Sequence, residues 1–236
     1  MERLARVIRC RERLGDDPNG GRYRSFMATL LHLDSSADLT GSVSRRLTAR
    51  FAAGWAALGH ATVRRDLFAD QPPHLPSSVL HWAPSLRAAD ESVDLAHDRY
   101  QVELVGELLA ADVVLVGAPM YNWSVPSTLK AWIDWIHVPG MTAPAGPDDP
   151  APLVGKPIVI ASGRGLAYGP KSGNVDHELA ALNQLFAVSM QMSVYPVLAE
   201  LTLADRVADL APFAAQGAAS LAAAEAEIDR LLTELG

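Results

Sequence analysis

Apolar residues recur along the chain in two alternating patterns. The first is the short unbroken run bounded by polar loops. It occurs as MATLLHL at 27–33, ADVVLVGAP at 111–119 and KPIVIAS at 156–162. Runs of this kind predict strands buried on both faces of a parallel sheet. Two further segments carry the same signal in weaker form. HATVRRDL at 60–67 alternates apolar with polar residues and predicts an edge strand. MSVYPVLAEL at 192–201 contains Pro196, which cannot donate to a ladder and so predicts an edge position or a bulge.

The second pattern has a spacing of three or four and fills the intervals. Residues 44–58 carry Leu47, Phe51, Trp55 and Leu58; residues 98–110 carry Val102, Val105, Leu108 and Leu109. Leu129, Trp132, Ile133 and Ile136 follow the same rule, as do Leu179, Leu182, Leu185 and Phe186, and an alanine-rich helix is predicted over 214–235. Strands alternating with helices mean βαβ units. Right-handed crossovers then leave few topologies. The prediction is one α/β domain from Met27 to the end, a three-layer sandwich around five strands. Two segments interrupt the rhythm: the Pro- and Ser-rich stretch 70–91 and the Pro/Gly/Asp loop 139–152. Long loops of this kind serve as binding lids or as surface decoration, and the sequence supports both.

Composition narrows the classes. With 236 residues, 49% of them hydrophobic and 20% charged, the chain can build one substantial core. Its formal net charge of −7 and lack of a long basic run argue against a nucleic-acid partner. No apolar run reaches the ~18 residues that span a bilayer, so no membrane partner is expected. Residues 1–26 are Arg-rich without a continuous apolar stretch. They read as a disordered extension, not a secretory signal. Cys10 is the lone cysteine, which excludes an internal disulfide and points to a cytoplasmic location.

In open α/β sheets, ligands bind beyond the carboxyl ends of the strands. Three loops should meet there. The first, DSSADLTGSVS at 34–44, is crowded with hydroxyls and opens a helix. Its backbone amides suit a phosphate, and equally Ser42 or Ser44 suits an N-cap. The second, from Gly117, places Met120, Tyr121, Asn122 and Trp123 in a row at the end of a strand. The third is Ser162, Gly163, Arg164 and Gly165, where glycines allow close backbone approach and arginine offers a cation. Other chemistries lack support. The seven histidines show no ligand spacing, so no metal is expected. There is no G-x-S-x-G elbow, no G-x-G-x-x-G and no P-loop. Asp134 and Asp176 read as helix and N-cap residues.

The stretch PMYNWSVPSTLKAWID at 119–134 resembles the FMN-dependent NADH-azoreductase family, which belongs to the flavodoxin-like quinone reductases. The opening MATLLHLDSS, the pair Ser42 and Ser44, and the turn at 162–165 agree with it. The resemblance implies a flavodoxin-like sandwich with strand order 2-1-3-4-5. It also implies bound FMN, with Ser36, Ser42, Val43 and Ser44 at the phosphate and ribityl chain. Met120, Tyr121, Asn122 and Trp123 would line the isoalloxazine, and Ser162, Gly163, Arg164 and Gly165 its pyrimidine side. It further implies a homodimer with the flavin at the interface, NADH or NADPH as donor, and ping-pong two-electron reduction of quinones and azo compounds. Trp123 stands where the family usually carries Phe, Val43 where polar residues are common, and Gly-Arg-Gly where Arg-Gly-Gly is usual. The 70–91 stretch has no family counterpart. The competing readings are a flavodoxin-like electron carrier, an FMN-binding module, a flavin reductase using FMN as substrate, and a flavin-free interaction domain.

Overall fold

The computed structural model describes residues 11–16, 22–170 and 172–236. Two short strands, β1 (Arg11–Asp16) and β2 (Arg22–Met27), pair antiparallel as a separate ribbon. The disordered extension expected over 1–26 otherwise falls outside the described residues.

Five strands then form one parallel sheet: β3 (Thr29–Asp34), β4 (Ala61–Asp66), β5 (Val113–Gly117), β6 (Pro157–Gly163) and β7 (Ser193–Ala199). Their order is β4-β3-β5-β6-β7, the 2-1-3-4-5 arrangement, with every pair in parallel register. The three most apolar runs are the three inner strands. The half-polar β4 and the Pro-containing β7 are the two edges, as their sequences demand.

Helices cover both faces. α1 (Val43–Ala57) and α5 (Ala214–Leu235) bury Leu47, Phe51, Trp55, Ile228 and Leu231 against Leu30, Leu115 and Val159 on one side. On the other, α2 (Leu95–Ala110) and α3 (Ser127–Ile136) pack Leu104, Leu108, Trp132 and Ile136 onto Leu31, Val114 and Ile158. α4 (His177–Asn183) begins with Asp176 as N-cap, its carboxylate accepting from the Leu179 amide at 2.8 Å. The helix expected through Phe186 does not continue as α: Gln184–Ser189 widens into a π turn. The Phe186 carbonyl is taken by the Met192 amide at 2.8 Å, which turns the chain into β7 while the ring stays in the core.

The stretch 70–91 is built into the body. Trp135 Nε1 donates to the Pro73 carbonyl at 2.7 Å, Gln101 Nε2 donates to the Leu80 and Trp135 carbonyls, and Leu80 is fully buried. Loop 139–152 is anchored through buried Thr142, whose hydroxyl accepts from the Val138 amide and donates to the Ile136 carbonyl.

Two charge clusters lie under the carboxyl end of the sheet. In the first, Asp34 is buried at the end of β3 and accepts from Thr48 Oγ1 at 2.7 Å and Arg64 at 2.8 Å. Burial by itself would raise its carboxyl; His32, Arg64 and Thr48 outweigh this and hold it well below the usual carboxylate range. In the second, Arg164 and Glu178 are both buried beside Ser162. The Ser162 hydroxyl donates to Glu178 Oε2 at 2.8 Å, and Arg164 reaches Asp176 at 2.6 Å and Glu178 at 3.3 Å. Desolvation dominates at Glu178 and pushes it up to about 7, against the lowering effect of Ser162 and Arg164. Glu178 Oε1 has no hydrogen-bond partner.

Two predictions follow from this packing. Lys156 places Nζ at 2.9, 2.8 and 2.6 Å from the carbonyls of Leu108, Leu109 and Ala111, satisfying the C-terminal end of α2. Lys156→Met should therefore lower the unfolding free energy by about 2 kcal/mol, measured by urea denaturation. The second concerns Glu178, whose folded-state carboxyl lies near 7 against an unfolded value of 4.5. Between those values the folded chain holds a proton that the unfolded chain has released. Its contribution to stability is thus complete below 4.5 and lost as pH rises to 7. Unfolding midpoints of wild type and Glu178→Gln at pH 5 and pH 8 should show wild type losing more on the alkaline side. Parallel pH profiles would show that Glu178 does not titrate in this window.

Candidate functional site

The parallel sheet delivers the expected loops to one edge, where their main chains are tied together. The Ser35 amide and hydroxyl both donate to the Gly117 carbonyl, at 3.1 and 2.6 Å. The Met120 amide donates to the Gly163 carbonyl at 3.2 Å, joining the second loop to the third. Tyr121 joins the second loop to the first: its hydroxyl accepts from the Ala37 amide and lies 3.1 Å from Ser36 Oγ.

The first loop is also braced from beneath. Arg45, on α1, forks onto both oxygens of Asp66 at 2.6 and 2.7 Å and donates to the Ser36 carbonyl through Nε and a terminal nitrogen. This fixes the path of the loop into α1. Ser42 is the N-cap, its hydroxyl accepting from the Arg45 amide, and the Ser44 hydroxyl lies 3.0 Å from it. The amides of Val43 and Ser44 have no hydrogen-bond partner among the described residues. The N-cap reading of the loop is observed at Ser42, and the cap uses one amide and leaves the preceding two without an acceptor among the described residues.

These loops enclose a partly open cavity of about 310 Å³, within the range of small-molecule sites. The first loop contributes Ser36, Asp38, Gly41, Ser42, Val43 and Ser44 to its wall. The second contributes Pro119, Met120 and Tyr121, and the third Gly163 and Gly165. A methyl group on Gly163 would lie 3.1 Å from Val43 Cβ and 3.3 Å from the Ser44 amide nitrogen. A bare backbone at this position therefore keeps the cavity open beside the α1 N-terminus.

Four expected residues stand elsewhere. Asn122 and Trp123 occupy the two central positions of a tight turn, with φ of 49° and 64°. The turn is closed by reciprocal hydrogen bonds between Tyr121 and Ser124 at 2.9 and 3.0 Å. Two successive left-handed residues form a type I′ geometry, which suits asparagine and strains tryptophan. Both side chains are exposed, Trp123 at 58%, and neither lines the cavity. Ser162 and Arg164 turn away from it, because Glu178 and Asp176 capture them beneath the loop. Arg164 gives the cavity no cation.

Sequence reasoning missed a fourth loop. Thr202, Leu203 and Arg206, just after β7, complete the wall. Only the rule that ligands gather at strand carboxyl ends could have found them, since the segment 200–207 has no periodicity and no motif.

Among the described residues, no helix is long and apolar enough to cross a membrane. The profile of the flavodoxin-like fold family matches residues 28–235. An FMN-dependent NADH:quinone oxidoreductase of Kineococcus radiotolerans is 42% identical over 213 residues, covering 89% of this chain and all of that one. A protein of the same name from Methylobacterium radiotolerans is 43% identical over 190 residues, covering 76% of this chain and 88% of the relative. Among solved structures, an azoreductase from Bacillus anthracis superposes with a TM-score of 0.71 at 18% identity, covering 88% of this chain and all of that one. An FMN-dependent NADH-azoreductase from the same species, in complex with FMN, gives 0.70 at 18% identity over 89% and 99% of the two chains. At such identity the superpositions speak for the fold. With sheet order, profile and curated relatives in agreement, the chain belongs to the flavodoxin-like fold family.

Proposed function

We propose that the chain is an FMN-dependent NADH:quinone oxidoreductase that also cleaves azo compounds, working as a cytoplasmic homodimer. The observation that carries this reading is the cavity itself. It combines free amides at the α1 N-terminus, a glycine wall and an apolar side chain, Met120, within one enclosure. The residues present fit the cofactor. Val43 and Ser44 offer amide donors, Ser42 and Ser44 offer hydroxyls, and the α1 dipole favours an anion at that point. Gly163 and Gly165 admit a flat ring close to the backbone, and Met120 and Tyr121 shield it from water.

FMN held by these residues would supply the redox chemistry, two-electron transfer from NADH to the acceptor in a ping-pong cycle. The protein's tasks are binding, orientation and exclusion of water. No nucleophile, acid or base is required of it. Tyr121 on the cavity wall and Trp123 two residues on, in the same turn, expose aromatic surface, which suits a small planar acceptor better than a partner protein. That favours the enzyme over the electron carrier.

Purified protein should be yellow, or become so with added FMN, and NADH should bleach it in a stopped-flow mixing experiment. A protein that cannot be reconstituted with FMN ends the proposal; a yellow protein that NADH leaves unbleached supports the carrier. A second prediction concerns Asn122. Because φ there is 49°, Asn122→Gly keeps the turn while deleting the carboxamide. With the carboxamide exposed and outside the cavity wall, FMN retention and hydride transfer should stay at the wild-type level with the unfolding midpoint unchanged, and a loss of either would bring the carboxamide into the site.

A further inference from the structure

Among the described residues the cavity wall carries two charged side chains, Asp38 and Arg206. Asp38 is committed locally. Its carboxylate accepts from the Gly41 and Thr40 amides at 2.8 and 3.0 Å, and these bonds hold it below the usual carboxylate range. It therefore remains anionic at the mouth. An anion entering beside the α1 N-terminus meets this like charge on a chain whose formal net charge is already −7.

Arg206 is exposed and has no ion-pair partner within 4 Å among the described residues. Its charge is nevertheless felt at Asp38 as one of the smaller influences on that carboxylate. The loop that carries it is fixed. The Thr202 amide and hydroxyl donate to the Arg164 carbonyl at 2.9 and 3.0 Å, and the Leu203 amide reaches the Gly165 carbonyl at 3.4 Å. The Arg206 amide then closes onto the Leu203 carbonyl at 3.0 Å. Arg206 is thus mounted on the glycine loop itself, on the wall of the cavity that also holds Asp38.

We propose that Arg206 is the counter-charge for the phosphate monoester of the bound flavin nucleotide, and that it makes the cavity select phosphorylated over unphosphorylated flavin. The proposal rests on the flavin reading given above. Charge bookkeeping favours such a group. A phosphate monoester carries about −1.5 to −2 at neutral pH, and a helix N-terminus offers roughly +0.5. Asp38 adds a further negative charge. Serine hydroxyls donate hydrogen bonds without charge, and the neighbouring Arg45 is already forked onto Asp66. Among the described residues Arg206 is the one cation lining the cavity, and a guanidinium can engage two phosphate oxygens at once.

The test is titration of the flavin-free full chain with FMN and with riboflavin, read by flavin fluorescence, for wild type, Arg206→Gln and Arg206→Lys at low and high salt. Arg206→Gln should weaken FMN about tenfold and leave riboflavin unchanged. Arg206→Lys should recover part of the loss, and high salt should narrow the gap between wild type and Arg206→Gln. Equal weakening of both flavins would assign Arg206 a packing role and overturn the proposal. So would unchanged FMN binding, including the case in which only the KM for NADPH rises. A wild-type chain that binds neither flavin overturns the flavin reading as well; one that binds FMN with Arg206→Gln unaffected overturns this inference alone.

Discussion

All five strands of the main sheet run in one direction, and the architecture of the site follows from that constraint. Parallel pairing sends every carboxyl end to the same edge, where the last carbonyls and first loop amides have lost their ladder partners. They find one another instead. Ser35 bonds to Gly117, Met120 to Gly163 and Thr202 to Arg164, so four loops become one continuous rim. The amides of Val43 and Ser44 stay outside this stitching because helix geometry denies them an intrachain acceptor. The same edge that satisfies most of its polar groups therefore leaves a few free beside a cavity.

Buried charge holds the rim from beneath on both flanks. Asp34, Arg45, Arg64 and Asp66 lock the first loop, and Arg164, Asp176 and Glu178 lock the third. Neither cluster lines the cavity. Breaking one partner of such a cluster strands the other in low dielectric, which costs far more than an exposed pair would. The loops can thus be irregular in sequence and still be well placed, and the side chains that do the placing are not those that face a ligand. Arg164 illustrates the division: its guanidinium is structural, while its carbonyl anchors the loop that brings in Arg206.

How far the sequence revealed this depends on how local each cause is. Strands buried on both faces print as unbroken apolar runs, so β3, β5 and β6 were legible, and Pro196 marked β7 as an edge. Ser42 as an N-cap and the loop as a cavity wall were both readable, because capping and anion binding draw on the same short-range geometry. The inward turn of Arg164 was not, since its carboxylate partners lie 12 and 14 residues downstream with a loop between them. The turn at Asn122 and Trp123 was hidden for another reason. Tryptophan gives no hint of a left-handed backbone, and the hydrogen bonds that close the turn come from the main chain of its neighbours. The π turn after α4 was hidden too, because Leu185 and Phe186 keep helical spacing while the ladder beneath them changes.

The strained turn has an optical consequence. The chain has five tryptophans. Trp55, Trp132 and Trp135 are sealed in apolar surroundings, whereas Trp82 and Trp123 meet solvent. Trp82 belongs to the 70–91 stretch and contributes nothing to the cavity wall. Trp123 combines a water-facing indole with a place two residues from Tyr121 of the cavity wall, on a turn closed by two main-chain hydrogen bonds. Exposed indoles emit to the red of buried ones, so Trp123 and Trp82 would together give a signal separable from the three core indoles, and replacing Trp82 would leave Trp123 as a label-free reporter next to the rim.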